Sequence, residues 1–397
     1  MSAFQEAARR YAERNPESKR LHEARAHVMP GGNTRSVLHV DPFPLTVVRA
    51  EGARIWDADG HDYLDFLGEF TAGLYGHSHP VILEAIREAL ADGIVLGAPN
   101  RYELTLAEAV CARFPSIDLL RFCNSGTEAN VMAISLARVV TGRSKIVVFD
   151  NGYHGGVLYF RHGGSPLNYP APFVVAEYNS VSSADLVDED TAAVLVEPLQ
   201  GSGGVIPGDP AFLQALRDAT RERGALLIFD EVMTSRLSWG GLQEVLGIRP
   251  DLTTLGKYIG GGLAFGAFGG RRDLMERFDP SRPDALQHAG TFNNAVLTMA
   301  AGAAGLTKVL TRDEIARLNA LGDVLRQRLN ESIDGFRATG YGSMVGLHFD
   351  DEERGALVHL RMLERGFSYA RRGFVALSLP LTETDVDGFA DALVELA

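Results

Sequence analysis

Cysteine and lysine are scarce in this 397-residue chain. Two cysteines, Cys111 and Cys123, cannot build a disulfide framework or a four-thiolate zinc site, so the expectation is a reduced, cytoplasmic protein. No apolar run reaches the roughly 18 residues of a spanning helix, and the charged N-terminus to Arg20 lacks the apolar core of a secretory signal, so neither a membrane span nor export is expected. Cationic charge is also short: 38 Lys+Arg against 51 Asp+Glu give a net charge of −13, which argues against a nucleic-acid partner. Of those 38 cations only four are lysine (Lys19, Lys145, Lys257 and Lys308), leaving 34 arginines. Glycine, by contrast, is abundant at 43 residues, which predicts many tight turns or close backbone approaches.

The middle of the chain alternates strand and helix signals. Ala193–Val196 and Ala225–Phe229 are unbroken apolar runs of the kind buried parallel strands need. Between them Phe212, Ala215, Leu216 and Ala219 recur at helical spacing, with Asp209 placed to cap the start, Pro210 at the first turn and Gly224 at the stop. This is a βαβ unit. Ile82 to Leu90 and Asp385 to Leu396 read as amphipathic helices and Lys145 to Phe149 as a buried strand. The expected plan is α/β. Residues 1–55 form an N-terminal part of a small domain, 56–295 a large domain and 296–397 the rest of the small domain.

Lys257 is the only charged residue between Leu252 and Gly270. An ammonium in such surroundings loses hydration and becomes a nucleophilic amine, unless its stem carries it to the surface. Asp230 closes an apolar strand, where α/β folds place ligand-binding groups, although a helix cap would use the same residue. Asn124-Ser-Gly-Thr-Glu-Ala-Asn130 precedes an apolar helix. Ser125, Gly126 and Thr127 offer hydroxyls and N–H groups to a phosphate, or simply an ordinary capping box. Tyr153, in the turn Gly152-Tyr-His-Gly155, could cover a flat ring or be a surface aromatic. No residue spacing points to a metal, and the pair His77 and His79 lacks a third ligand. Taken together, an amine, a strand-end carboxylate, a phosphate cup and a stacking ring are what pyridoxal 5'-phosphate requires. The lysine joins the aldehyde, the carboxylate holds the pyridine nitrogen protonated, and the cup takes the phosphate.

The motifs Asn124–Asn130, Phe229-Asp-Glu-Val-Met-Thr234, Thr254-Leu-Gly-Lys257 and Ala289-Gly-Thr-Phe292 resemble, in order and spacing over nearly the whole chain, the class III aminotransferases of fold type I. Two branches are similar: bacterial β-phenylalanine and other β-amino-acid aminotransferases, and glutamate-1-semialdehyde 2,1-aminomutases. Asn33-Thr-Arg-Ser-Val37, Glu69-Phe-Thr-Ala-Gly73, Thr291-Phe-Asn-Asn294 and Arg372-Gly-Phe-Val375 favour the first. The resemblance implies a large domain with a mostly parallel sheet and a smaller α+β domain from both termini. It also implies a homodimer with a shared active site.

By the same resemblance Lys257 is the catalytic lysine, Asp230 meets the pyridine nitrogen, and Val232 and Tyr153 cover the ring faces. Ser125, Gly126 and Thr127 take the phosphate, and Thr291 reaches the neighbouring subunit's phosphate. Arg35 holds the donor carboxylate, Arg372 that of the acceptor, and Phe70 lines the pocket. The expected reaction moves an amino group from a β-amino acid, with S selectivity, to a keto acid such as 2-oxoglutarate or pyruvate. The alternative is intramolecular amino transfer of the aminomutase kind. A nicotinamide oxidoreductase is disfavoured because no GxGxxG follows a strand.

Overall fold

The computed structural model describes residues 2–397. Its contacts divide the chain into two units: Pro80–Arg317, and the two ends of the chain, up to His79 together with Leu318–Ala397. Both boundaries fall further along the chain than the 55/56 and 295/296 expected from sequence. The cause at the second is Val296–Ala304, whose buried face packs on helices earlier in the central unit.

The central unit holds a seven-stranded sheet. In chain order its strands are β1 (Leu119–Cys123), β2 (Lys145–Phe149), β3 (Phe173–Ala176), β4 (Thr191–Val196), β5 (Leu226–Asp230), β6 (Leu252–Gly256) and β7 (Gly266–Gly270). Their spatial order is β1-β7-β6-β5-β4-β2-β3, parallel except where β7 runs against β6 and β1. Both faces are covered, which explains the unbroken apolar runs. Alternate residues divide between the two sides. Ile146, Val148, Ala193, Leu195 and Ile228 pack with α1 (Gly126–Thr141), and Val147, Phe149, Val194, Val196 and Phe229 pack with α2 (Pro210–Arg223).

The α2 helix shows how local chemistry fixes an element. Asp209 accepts from the N–H groups of Ala211 and Phe212, Pro210 occupies the first turn, and Gly224 ends the helix at φ 65°. Among the described residues no helix is long and apolar enough to cross a membrane.

The unit built from both ends carries two small sheets. One pairs Val47–Glu51, Arg54–Asp57, Asp62–Asp65 and Phe367–Ser368; the other pairs Phe336–Tyr341, Met344–Phe349 and Phe374–Ala376. Helices Ala3–Arg14, Glu352–Glu364 and Glu383–Leu396 pack in the same unit.

Candidate active site

Strands β5 and β6 end side by side, with Asp230 in register with Thr254. Asp230 is therefore delivered to the carboxyl edge of the sheet, and Lys257 follows β6 directly. Asp230 is buried and held by three donors. His154 Nδ1 lies 2.8 Å and Asn130 Nδ2 2.8 Å from its Oδ2, and the Val232 N–H donates to Oδ1 at 3.0 Å. Asn130 is fixed in turn, accepting from Thr254 Oγ1 at 2.7 Å and donating to the His154 carbonyl at 3.0 Å. The carboxylate thus has one orientation, locked from helix α1, from the turn after β2 and from β5 itself.

Val232 joins the remaining parts. A Cβ on Gly126 would lie 2.9 Å from a Val232 methyl, and one on Gly256 would lie 3.1 Å from the other. The cup, the end of β5 and the residue before Lys257 therefore meet around one side chain. Ser125 caps α1 by accepting from the Glu128 N–H, but the box is not closed, because the Glu128 carboxylate accepts from the Asn124 N–H; Gly126 and Thr127 form the first turn. Thr127 Oγ1 accepts from the Gly156 N–H at 3.3 Å, and Gly155, at φ 126°, has no room for a side chain beside it. The Tyr153 turn is thereby pressed against the cup, and the Tyr153 ring stays 41% exposed with Tyr159 at its edge.

Lys257 itself is half-buried, with a left-handed φ of 55° that an L-residue adopts only under constraint. Thr291 is exposed, and among the described residues no hydrogen bond joins it to Ser125 or Thr127. Its loop does reach the cup through Asn293, whose Oδ1 accepts from Asn124 Nδ2 at 3.0 Å. Cys123 is no rival nucleophile, because burial pushes its thiol up to about 12.

Sequence reasoning placed Glu197 only as a strand-end residue near the site, supporting it from behind, and gave His154 and Asn130 no individual role. One ligand atom of each of His154, Glu197 and Asp230 lies within 4.8 Å of the others. Chain spacing hides this cluster because its members leave three different strands. It is chemically adequate for a cation, yet His154 and Asp230 already engage each other. Burial, and next the charge of Asp230, hold the Glu197 carboxyl well above the ordinary range. The N–H groups of Tyr153 and Gly201 and the charge of Lys257 oppose them only in part. Its Oε2 is buried without a partner. A fixed strand-end carboxylate, an orphaned acid oxygen, a glycine cradle at Gly126 and Gly155 and a partly exposed tyrosine fit a flat, phosphorylated pyridine cofactor.

The three remaining candidates lie in the unit formed by the chain ends. Arg372 sits over the Phe70 ring at 5.1 Å and over Phe374 at 5.9 Å, and the two rings are 5.7 Å apart. Arg35 forms an ion pair with Glu69, next to Phe70. Gly68, Glu69, Phe70 and Thr71 all have positive φ, a run of left-handed backbone that buries Phe70 and leaves Glu69 exposed to Arg35. His77 Nε2 donates to Asp65 Oδ2 at 2.9 Å and is accounted for there.

The Glu197 carboxyl keeps its proton in the folded chain at pH values where the unfolded chain has lost it. The stability it contributes is therefore full below about 4.5 and is lost as pH rises toward its folded value. In the cofactor-free protein Glu197→Gln is expected to remove this slope, so the variant gains on the wild type in denaturation midpoint as pH rises above about 4.5. Parallel profiles for the two proteins would overturn this reading of Glu197.

The family model "Aminotransferase class-III" matches residues 36–160 and 170–393. The beta-phenylalanine transaminase of Variovorax paradoxus is 52% identical, over 98% of this chain and 95% of that protein. The crystal structure of a beta-phenylalanine aminotransferase from the same organism superposes with a TM-score of 0.96 at 50% identity, covering 99% of this chain and 96% of that one. A glutamate-1-semialdehyde 2,1-aminomutase of Methanosarcina acetivorans is 38% identical over 88% of each chain. A transaminase solved with pyridoxal phosphate bound reaches a TM-score of 0.90 at 31% identity, covering 96% and 97%. The chain belongs to the class-III aminotransferases, enzymes of fold type I that depend on pyridoxal phosphate.

Proposed function

We propose that this aminotransferase takes its amino group from a β-amino acid of the β-phenylalanine kind, with S selectivity, and gives it to a keto acid such as 2-oxoglutarate or pyruvate. The observation that carries the reading is the cluster of Arg372, Phe70 and the Arg35–Glu69 pair. It offers two guanidinium groups and an apolar ring within one short stretch of fold. A β-amino acid with an aromatic side chain needs both kinds of surface. The 52% identical relative named as a beta-phenylalanine transaminase supports the same substrate class. The aminomutase relatives are more distant at 38% identity, so intramolecular transfer is the weaker reading.

When bound, the cofactor supplies a carbonyl that accepts the amine and a ring that stores an electron pair. The chain's residues do the rest. Ser125, Gly126 and Thr127 would hold the phosphate at the start of α1, where N–H groups and the helix dipole favour an anion. Asp230, oriented by His154 and Asn130, would keep the pyridine nitrogen protonated. Val232 and Tyr153 would pack on the ring. Lys257 Nζ removes the proton from the amine-bearing carbon of the donor and later returns one to the acceptor. Arg35 holds the donor carboxylate and Arg372 the acceptor's, by bidentate bonds that a guanidinium matches well. Glu69 neutralises Arg35 until a carboxylate replaces it.

The working unit is assigned as a homodimer whose subunits share the site, with Thr291 reaching the partner's phosphate. Ile94, Val95 and Leu96 support this, since they expose a continuous apolar run at 59%, 81% and 45%. Light scattering is expected to give about twice the 42.9 kDa chain mass. A fully active monomer would refute the shared site.

Two further measurements test the reaction. Borohydride reduction of the holoenzyme, followed by peptide mass analysis, is expected to place the cofactor adduct on Lys257, and Lys257→Ala to lower turnover by about 10³-fold or more. An adduct on another residue removes Lys257 from its role. With 2-oxoglutarate or pyruvate as acceptor, β-phenylalanine is expected to outperform α-amino acids. Arg35→Ala is expected to raise KM for β-amino acids by tenfold or more while sparing neutral amines, the loss of one charged hydrogen-bonded contact. Activity confined to α-amino acids sinks the β reading, and equal effects on both donor types remove Arg35 from the site.

A further inference from the structure

A cavity of about 850 Å³ opens at the amino-terminal ends of the sheet strands in the central unit. It is lined by the first residues of β5, the turn before β6, the segment after β7 and the end of α2. Asp230 stands at the other end of β5. The cavity is thus distinct from the candidate active site, which uses the carboxyl ends of the same strands.

Its lining is cationic in a chain of net charge −13. Arg217, Arg221, Arg249, Arg271 and Arg277 face Asp251 and Asp273. Asp251 is the hub. Its Oδ2 takes Arg217 at 2.9 Å and the Leu227 N–H at 2.9 Å, and its Oδ1 takes Arg271 at 2.8 Å. Asp273 also pairs with Arg271, Asp118 with Arg249 at 3.4 Å and Asp284 with Arg277 at 3.1 Å. Arg221 has no ion pair or hydrogen bond of its side chain among the described residues.

Two guanidinium donors behind this wall lack partners. Nε of Arg217 and Nε of Arg277 are buried with no hydrogen-bond partner, and the Arg217 side chain is only 5% exposed. A buried, unsatisfied guanidinium N–H is costly to leave in place. Burial lowers the affinity of Arg217 for its own proton, and the neighbouring charges of Arg221 and Arg271 lower it further, against the pull of Asp251. Like charges gathered in this way favour an anion between them. An adjoining hollow of about 730 Å³ shares Val139 and adds Arg138 and Arg143; Nε of Arg138 is likewise buried without a partner.

We propose that this cavity binds a small anion carrying several phosphates, either inorganic or borne by a nucleotide. A single phosphate would engage only part of a wall whose guanidinium groups continue from one hollow into the next. Arginine suits the ligand because its planar fork meets phosphate oxygens in pairs. The volume matches what small-molecule sites enclose. The polar lining selects charge over an apolar body.

The test uses the holoenzyme saturated with cofactor, so that the phosphate cup is filled. Titration calorimetry with inorganic triphosphate at ~25 mM NaCl is expected to show saturable binding, one site per chain. The affinity should fall by more than tenfold at ~200 mM NaCl, because the contact is between charges. The double variant Arg221→Ala/Arg277→Gln is expected to lose at least tenfold in affinity while its turnover with amino donor and its melting temperature match the wild type. Adenosine triphosphate serves as the second probe. Equal affinity assigns the site to the phosphate chain alone, and tighter binding assigns it to a nucleotide. No saturable binding of triphosphate at low salt, or unchanged affinity in the double variant, overturns the proposal. Arg249→Ala, on a more exposed side chain, repeats the test if the double variant is unstable.

Discussion

The carboxylate of Asp230 is the point on which the rest of the central unit depends. It is buried, and a buried carboxylate is tolerable only when donors surround it. Those donors come from places far apart in the chain: Asn130 on α1, His154 after β2 and the Val232 N–H just beyond β5. Each can reach Asp230 only if the parallel strands keep their register, since a slip by one residue would turn Asp230 to the other face. The polar network and the sheet therefore specify each other. Thr254, opposite Asp230 in the pairing, completes the circuit through Asn130.

A second constraint is written into the backbone. Lys257 sits at positive φ directly after Gly256, and the residues that follow it, Tyr258, Ile259 and Gly260, are buried. Packing of this kind can hold a residue in a conformation that it would leave if free. A Cβ on Gly260 would fall 2.4 Å from Phe265, so the turn has almost no room to relax. The same device recurs in the unit formed by the chain ends, where four successive left-handed residues from Gly68 to Thr71 set Phe70 and Glu69 on opposite courses. Strain is thus concentrated next to the residues assigned to chemistry and substrate.

Sequence reasoning reached the local parts of this arrangement and missed the joins. The α2 helix was legible to its caps, because Asp209, Pro210 and Gly224 act within a few residues of the positions they control. The positions of Lys257 after one strand, Asp230 at the end of another and the Ser125–Thr127 turn at a helix start were legible because strand ends and helix starts announce themselves in composition. Glu197 signalled only that it ends a strand near the site and His154 gave no signal of its own: both stand beside Asp230, and that proximity arises only when β2, β4 and β5 are laid together. The boundaries of the two units were read too early for a similar reason. The sequence reading assigns 296–397 to the small domain, yet the apolar helix Val296–Ala304 packs on helices Pro80–Asp92 and Arg101–Arg113 in the central unit.

The shortage of lysine now has a chemical consequence. An aldehyde condenses with a primary amine and not with a guanidinium, so a chain whose cations are mostly arginine offers its cofactor few side-chain competitors. Of the other three lysines, Lys145 is engaged by the Leu186 carbonyl at 2.9 Å and by Asp188 at 2.5 Å. Lys19 lies 3.9 Å from Glu23 on a helix of the other unit. Arginine meanwhile keeps every surface role a cation can fill, from the pairing of Arg10 with Glu364 to the stacking of Arg372 on Phe70. The same substitution of guanidinium for ammonium fills the cavity beneath the sheet with rigid, forked donors. One compositional bias thus leaves few side-chain amines to compete with the lysine that follows β6 and lines the cavity at the opposite edge of the sheet with guanidinium groups.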